Sequence, residues 1–469
     1  MKRTYIFLLC LILYGCGSRL EKRNEELRYQ NPDSNEVWLA TELLGQKIGY
    51  SVSRYGKTAD GFRFDNLTRL TLGMMGKKQF VRTQSTVITY SDLSLDSFNF
   101  ELNSPDGFFR SSGKVEKDQL TVNTGQGVRI WKLTRQLYPI EALGTVIVQA
   151  KPAPGAILNY LTFDGTVMDT LPTVVEVLGQ ETIKTAGETR EALKVKVRRA
   201  KFDVTIWLDN NGMTLKEESP IGMNSYRVSE KEALAGEPGY PPDVLRLFAV
   251  AVDTLIPHPE KVKRVVLEIS GIDTAEFKLA TANQRILSPS PLRLEISIPD
   301  VPKGIRLPIN VEDEYLKPSI SIQSDAELIK KKAAEITKGL KDATDAARRI
   351  LLWTFTSLNK EAVASLPNAL DVLKSMKGDC NEHSVLYAAL ARASGIPAKV
   401  AVGLVYLEGA FYYHAWNEVY LGQWVPVDPT FGEFPANALH LKLAEGELSQ
   451  QAEVLGVVRK IGIKVVEFE

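Results

Sequence analysis

Cysteine is nearly missing from this sequence: three residues in 469, with Cys10 and Cys16 both inside the first sixteen. Histidine numbers only four. No cysteine–histidine cluster has the spacing of a zinc site, and no glycine-rich phosphate loop follows a strand, so no metal and no cofactor are expected. An excess of one charge is also lacking, because 57 basic residues balance 57 acidic ones. A net charge of zero offers no field to nucleic acid, and no nucleic-acid partner is expected. Past the first residues, no apolar run approaches the roughly 20 that carry a helix across a bilayer. What is present is an ordinary globular composition, 44% apolar and 24% charged, in a chain too long for a single core.

The beginning departs from that composition. Lys2 and Arg3 precede an apolar run over residues 5–14, too short to span a membrane and flanked as in a secretory signal. The run ends in Leu13-Tyr14-Gly15-Cys16, which resembles a bacterial lipobox. The resemblance implies processing before Cys16 and diacylglycerol on its thiol; an ordinary cleaved signal or an uncleaved anchor are the alternatives. Gly17 stands where an aspartate would signal inner-membrane retention. The expected location is therefore the bacterial cell envelope, as an outer-membrane lipoprotein facing the periplasm. Residues 1–16 are read as signal peptide and 17–35 as a polar tether. Cys380 is then the one thiol left in an oxidising compartment, either free and reactive or buried and inert.

Residues 36–235 carry the alternation of antiparallel strands. Phe98, Phe100 and Leu102 alternate with Asn99 and Glu101, and Asn103-Ser104-Pro105-Asp106-Gly107 is a turn cluster. Further on, 202–208 runs into Asp209-Asn210-Asn211-Gly212, a strong hairpin cue. The two strand sets fit as halves of one large curved sheet. Gly236-Glu237-Pro238-Gly239-Tyr240-Pro241-Pro242 reads as a linker. A small β module over 243–315 follows, with alternating stretches at 265–271 and 292–298. From 320 the period turns helical. Ser324-Asp325-Ala326-Glu327 is a capping-box pattern, Asp342 or Thr344 opens a second helix, and Pro367-Asn368 opens a third. The fold class is multidomain α+β, closing with an α/β domain over 320–469.

Within that domain Cys380 opens a fourth helix, 381–394, stopped by Gly395-Ile396-Pro397. A thiol in a first helical turn faces free N–H groups and the positive end of the dipole, which lowers its pKa and provides donors for an oxyanion. A strand over 398–406, a turn over 407–410 and a second strand over 411–420 follow, then a three-residue loop, 421–423, and the strand 424–428. Tyr420 then pairs with Trp424 and Trp416 with Asp428, making His414 and Asp428 diagonal neighbours on one face. A lone strand histidine is more often structural; thiol, imidazole and carboxylate in this order suit a nucleophile, a base and its orienter. His383, one turn along the helix from Cys380, is read as packing or hydrogen-bonding. Trp353 is read as core, Glu418 and Trp416 as shaping the site, and His258 and His440 as isolated.

Gly-Asp-Cys-Asn-Glu-His-Ser at 378–384, His-Ala-Trp-Asn-Glu-Val-Tyr at 414–420 and Val-Asp-Pro-Thr at 427–430 resemble the transglutaminase-like core, a papain-related fold. The resemblance covers about 320–445. It implies Cys380 as nucleophile, His414 as general base and acid, and Asp428 as orienting carboxylate. It also implies attack on an acyl carbon with release of an amine, and leans to a thiol peptidase or amidase with a protein or peptide substrate. Transfer to a second amine, which crosslinks proteins, and a non-catalytic binding or scaffold lipoprotein are the other readings.

Overall fold

The structure is a computed structural model describing residues 35–469 except 75, 200, 237, 238, 240, 244–246, 312 and 313. The signal peptide, Cys16 and nearly all of the tether thus lie outside the described residues, as do Glu237, Pro238 and Tyr240 of the linker. Among the described residues no helix is long and apolar enough to cross a membrane.

The alternating stretches assemble into one sheet of fifteen strands. Two meanders, one from Asn35–Leu43 to Val128–Lys132 and one from Ile157–Asp164 to Met223–Val228, join edge to edge where Asn35–Leu43 pairs antiparallel with Met223–Val228. The sheet is therefore single, with the two strand sets as its halves. Its alternation is that of a surface buried on one side: Phe98, Phe100 and Leu102 are buried while Asn99 is exposed. The helix Leu143–Gln149 packs on it, with Leu143 and Ile147 against Val175, Val177, Val195 and Val197. The Asn-Gly hairpin forms as read. Gly212 takes φ +82 and its N–H donates to Asp209 C=O at 2.9 Å.

The second half is built on the strands Ala398–Leu407, Ala410–Tyr420, Trp424–Val427 and His440–Glu445, with Val250–Ala251 at one edge. The helix Cys380–Ala393 lies against this sheet and under the helices Glu327–Ile336, Ala343–Ser357 and Ala369–Ser375. It is buried from Glu382 to Ala391. Leu386 and Leu390 have no exposed surface, and each contributes about 2 kcal/mol of burial. Asp342 and Asn368 cap the second and third helices as their side chains suggest. The capping box at Ser324 does not form: the helix starts at Glu327 behind Ala326, and the Ser324 N–H is spent on Ile322 C=O.

A four-stranded sheet holds Gln284–Pro289, Leu292–Ser297, Arg264–Ser270 and Gly462–Phe468. Its inner residues Val265, Leu294 and Ile296 share one hydrophobic core with Ile329, Ala347 and Leu386. The two halves of the molecule meet at several points, some of them beside the cysteine helix. Asp106, in the turn between Leu95–Ser104 and Gly107–Glu116, accepts from Lys377 Nζ at 2.9 Å and from the Ala364 N–H at 3.1 Å. Gln79 donates to Ala362 C=O at 3.0 Å, and Gln126 to Asp371 at 2.8 Å. These contacts grip the segments that lead into Cys380.

Candidate active site

Asp379 decides where the cysteine helix begins. Its carboxylate accepts the Asn381 N–H at 2.9 Å and the Glu382 N–H, and Glu382 accepts the Asp379 N–H in return at 3.1 Å. Gly378 precedes it because a Cβ there would stand 2.2 Å from Glu382 Cβ. Cys380 is thus the first residue of the helix, partly exposed, and its Sγ accepts a hydrogen bond from the main-chain N–H of Ala415. The sulfur rests against the strand Ala410–Tyr420, beside the position of His414.

His414 is 4% exposed, and its Nε2 lies 2.7 Å from Asp428 Oδ2. Phe431 stacks on the ring at 4.8 Å and 7°, and Trp416 lies nearly parallel at 6.1 Å. The ring plane is fixed, and among the described residues Nδ1 is the nitrogen left without a hydrogen bond. The register that produces this is the one read from alternation: Tyr420 pairs with Trp424 and Asn417 with Val427, which sets Asp428 one step beyond. Asp428 is fully buried, and its Oδ1 accepts from the N–H groups of Thr430 at 2.7 Å and Phe431 at 3.0 Å. Burial would raise this carboxyl, but His414, and after it His440, hold it far below the usual carboxylate range.

The thiol departs from the sequence expectation. Burial pushes Cys380 well above its ordinary value, and the carboxylates of Asp379, Glu382 and Asp428 add to that; the Ala415 N–H pulls the other way. The dipole argument fails because the donors of the first turn are already taken. Asp379 occupies the N–H groups of Asn381 and Glu382, and its charge cancels the positive end of the helix. Among the described residues the N–H of Cys380 itself is the donor left at this terminus. Thiol and imidazole are not hydrogen-bonded to each other.

His383 behaves as read from its spacing: Nδ1 donates to Asp379 C=O at 2.7 Å and the ring is wholly buried. Trp353 packs on the core, with Lys332 Nζ 5.5 Å from its ring centroid. Glu418 takes part in a buried ion cluster with Lys399 at 3.1 Å and Lys442 at 2.5 Å, and Glu445 bridges the same two lysines. His440 was missed. Far from isolated, it sits fully buried with Nε2 3.0 Å from Asp428 Oδ2. No sequence spacing announces it, because a loop of irregular backbone separates it from Asp428. The donor atoms of His414, Asp428 and His440 lie within 4.8 Å of one another, the kind of set a metal ion can use. The separations of 2.7 and 3.0 Å are those of shared protons.

Residues 330–429 match the model of the transglutaminase-like superfamily. No curated protein matches the chain. Among solved structures, a candidate cysteine protease of Cytophaga hutchinsonii is 18% identical, covering 44% of this chain and 87% of its own, at TM-score 0.30. A β-barrel-like protein of Brucella abortus is 14% identical over 42% of this chain and 95% of its own, at TM-score 0.34. A candidate protease of Parabacteroides distasonis is 14% identical over 74% of this chain and 68% of its own, at TM-score 0.21.

Proposed function

With residues 330–429 a transglutaminase-like domain, we propose that the chain is a cysteine acyl-transfer enzyme, a peptidase or amidase working through Cys380, His414 and Asp428. The observation that supports it is the pairing of His414 Nε2 with a buried Asp428 while Cys380 Sγ lies on the N–H of the next residue, Ala415. Nδ1 of His414 takes the thiol proton as Sγ bonds to the acyl carbon of an amide. The Cys380 N–H supplies one donor to the oxyanion. The C–N bond breaks, and the leaving amine takes the proton back from His414. Water then gives a proton to His414 and attacks the thioester, the C–S bond breaks, and the thiol regains its proton.

Asp428 acts throughout by holding the ring and stabilising the imidazolium. In this reading Cys16 carries the lipid that anchors the enzyme in the bacterial envelope, at the outer membrane facing the periplasm, and the acyl donor is a protein or cell-wall peptide. The test is to incubate the protein with an envelope extract, quench in acid, and search for Cys380 peptides by mass spectrometry. A thioester adduct that hydroxylamine removes, absent from Cys380→Ser, is the expected result. An unmodified Cys380 in wild type would overturn the reading.

A further inference from the structure

The mechanism above uses one histidine, yet Asp428 holds two. His440 opens the strand His440–Glu445, and its Nε2 reaches the same Oδ2 that His414 uses, at 3.0 and 2.7 Å. Its other nitrogen, Nδ1, lies 3.1 Å from Asn437 C=O. A carbonyl oxygen only accepts, so Nδ1 carries hydrogen. A neutral ring protonated there would turn its lone pair on the carboxylate. Both contacts are favourable together when both nitrogens carry hydrogen, that is, for an imidazolium facing a carboxylate.

The other oxygen of Asp428 is already filled by two backbone N–H groups. The acid is therefore held from every side, and Trp416 packs beside both imidazoles, 6.1 Å from one ring and 5.2 Å from the other. Apart from Asp428, the titratable groups near His440 are Glu433, in the loop that precedes it, and His414, with ring centroids 5.9 Å apart. Lys442, two residues along the same strand, is paired with Glu418 and Glu445, and among the described residues no hydrogen bond or ion pair joins that cluster to His440.

We propose that His440 is a positioning residue for the acyl-transfer step: it fixes Asp428 and takes a share of the charge that Asp428 would otherwise give wholly to His414. The inference rests on the reading of Cys380, His414 and Asp428 as the reacting groups. The physical gain is in the second half of the cycle. A base that binds its proton too firmly cannot return it to the leaving amine, and general acid–base catalysis works best with the proton evenly poised. Two imidazoles dividing one buried oxygen weaken each other's hold on a proton. His440 thus tempers the base while keeping its orienter in place.

The test uses the full chain and p-nitrophenyl acetate, which acylates an activated thiol without needing the natural substrate. The acylation burst is followed from pH 5 to pH 9 in wild type, His440→Gln, His440→Phe and Cys380→Ser. The Gln variant keeps a donor for Oδ2 without the charge; thermal unfolding of each variant reports that it folds. The expected result is an acid limb displaced to higher pH by about one unit in His440→Phe, which is a factor of ten in proton binding. His440→Gln is displaced less. Both variants lower kcat more than they raise KM, and Gln recovers part of the rate lost with Phe. A burst in wild type that Cys380→Ser abolishes, with superposable profiles in both His440 variants, overturns the proposal and leaves the cysteine reading standing. No Cys380-dependent burst in wild type overturns that reading, and the proposal with it.

Discussion

The Ala415 N–H donates to Cys380 Sγ, tying the first residue of a helix to the middle of a strand. This bond rather than the helix dipole is what favours charge on the sulfur, and it is outweighed by burial and by three carboxylates. The thiol therefore keeps its proton until a base removes it.

That balance predicts how the cysteine labels. Alkylation by iodoacetamide should still be rising above pH 9, past the ordinary thiol midpoint of about 8.5. Asp379→Asn retains a good helix cap but removes the nearest of those charges, so its labelling curve should move to lower pH. Rates followed by mass spectrometry of the Cys380 peptide provide the measurement. A curve unchanged by the substitution would mean that burial alone sets the thiol.

Asp428→Asn should leave the site's shape intact and lower turnover by about 10³- to 10⁴-fold, since an amide cannot steady the imidazolium. Asp428→Ala strands two imidazoles and two N–H groups, and should cost about 3–5 kcal/mol in urea unfolding. The sign of the pH effect follows from the direction of the shift. The folded carboxyl lies below its unfolded value of 3.8, so its contribution is complete above that value and is lost as the pH falls below it. Wild type should lose stability below about pH 4, and the Ala variant should show a shallower fall.

Glu418 is expected to matter for folding and not for chemistry. Glu418→Ala removes one of the two carboxylates that neutralise Lys399 and Lys442, leaving excess positive charge buried at about 3–5 kcal/mol. Alkylation of Cys380, measured at a temperature where the variant is folded, should follow the wild-type curve. A changed labelling profile would bring this cluster into the site.

Asp106→Ala should loosen the approach to the cysteine from a distance. The lost backbone bond to Ala364 and the partly exposed ion pair with Lys377 together amount to about 1–3 kcal/mol. Hydrogen exchange should quicken in 361–366 and 377–379 while the strand Ala398–Leu407 stays protected. Uniform acceleration across the chain would instead indicate global destabilisation.

What could be read from residues alone was the local pattern. Alternation fixed the register from Tyr420 to Asp428, and a three-residue loop was enough to bring His414 to its carboxylate. The residues around Cys380 announced a helix start, but not that Asp379 and Glu382 would use up its donors; side-chain direction at a cap is not a property of composition. His440 escaped because its partner lies across a loop with no period. Two strands of the small sheet were legible, but Gln284–Pro289 was not, and Gly462–Phe468 pairs with Arg264–Ser270 across a separation that leaves no local trace.

That last pairing governs when the molecule can finish folding. Ser270 and Gly462 meet from positions 192 residues apart, and Ile463 and Val465 of that last strand complete the core shared with the helices. Closing so long a loop is slow. Until residues 462–468 are in place the inner face of the small sheet stays open, although strands 398–445, on which the cysteine helix rests, are complete before them.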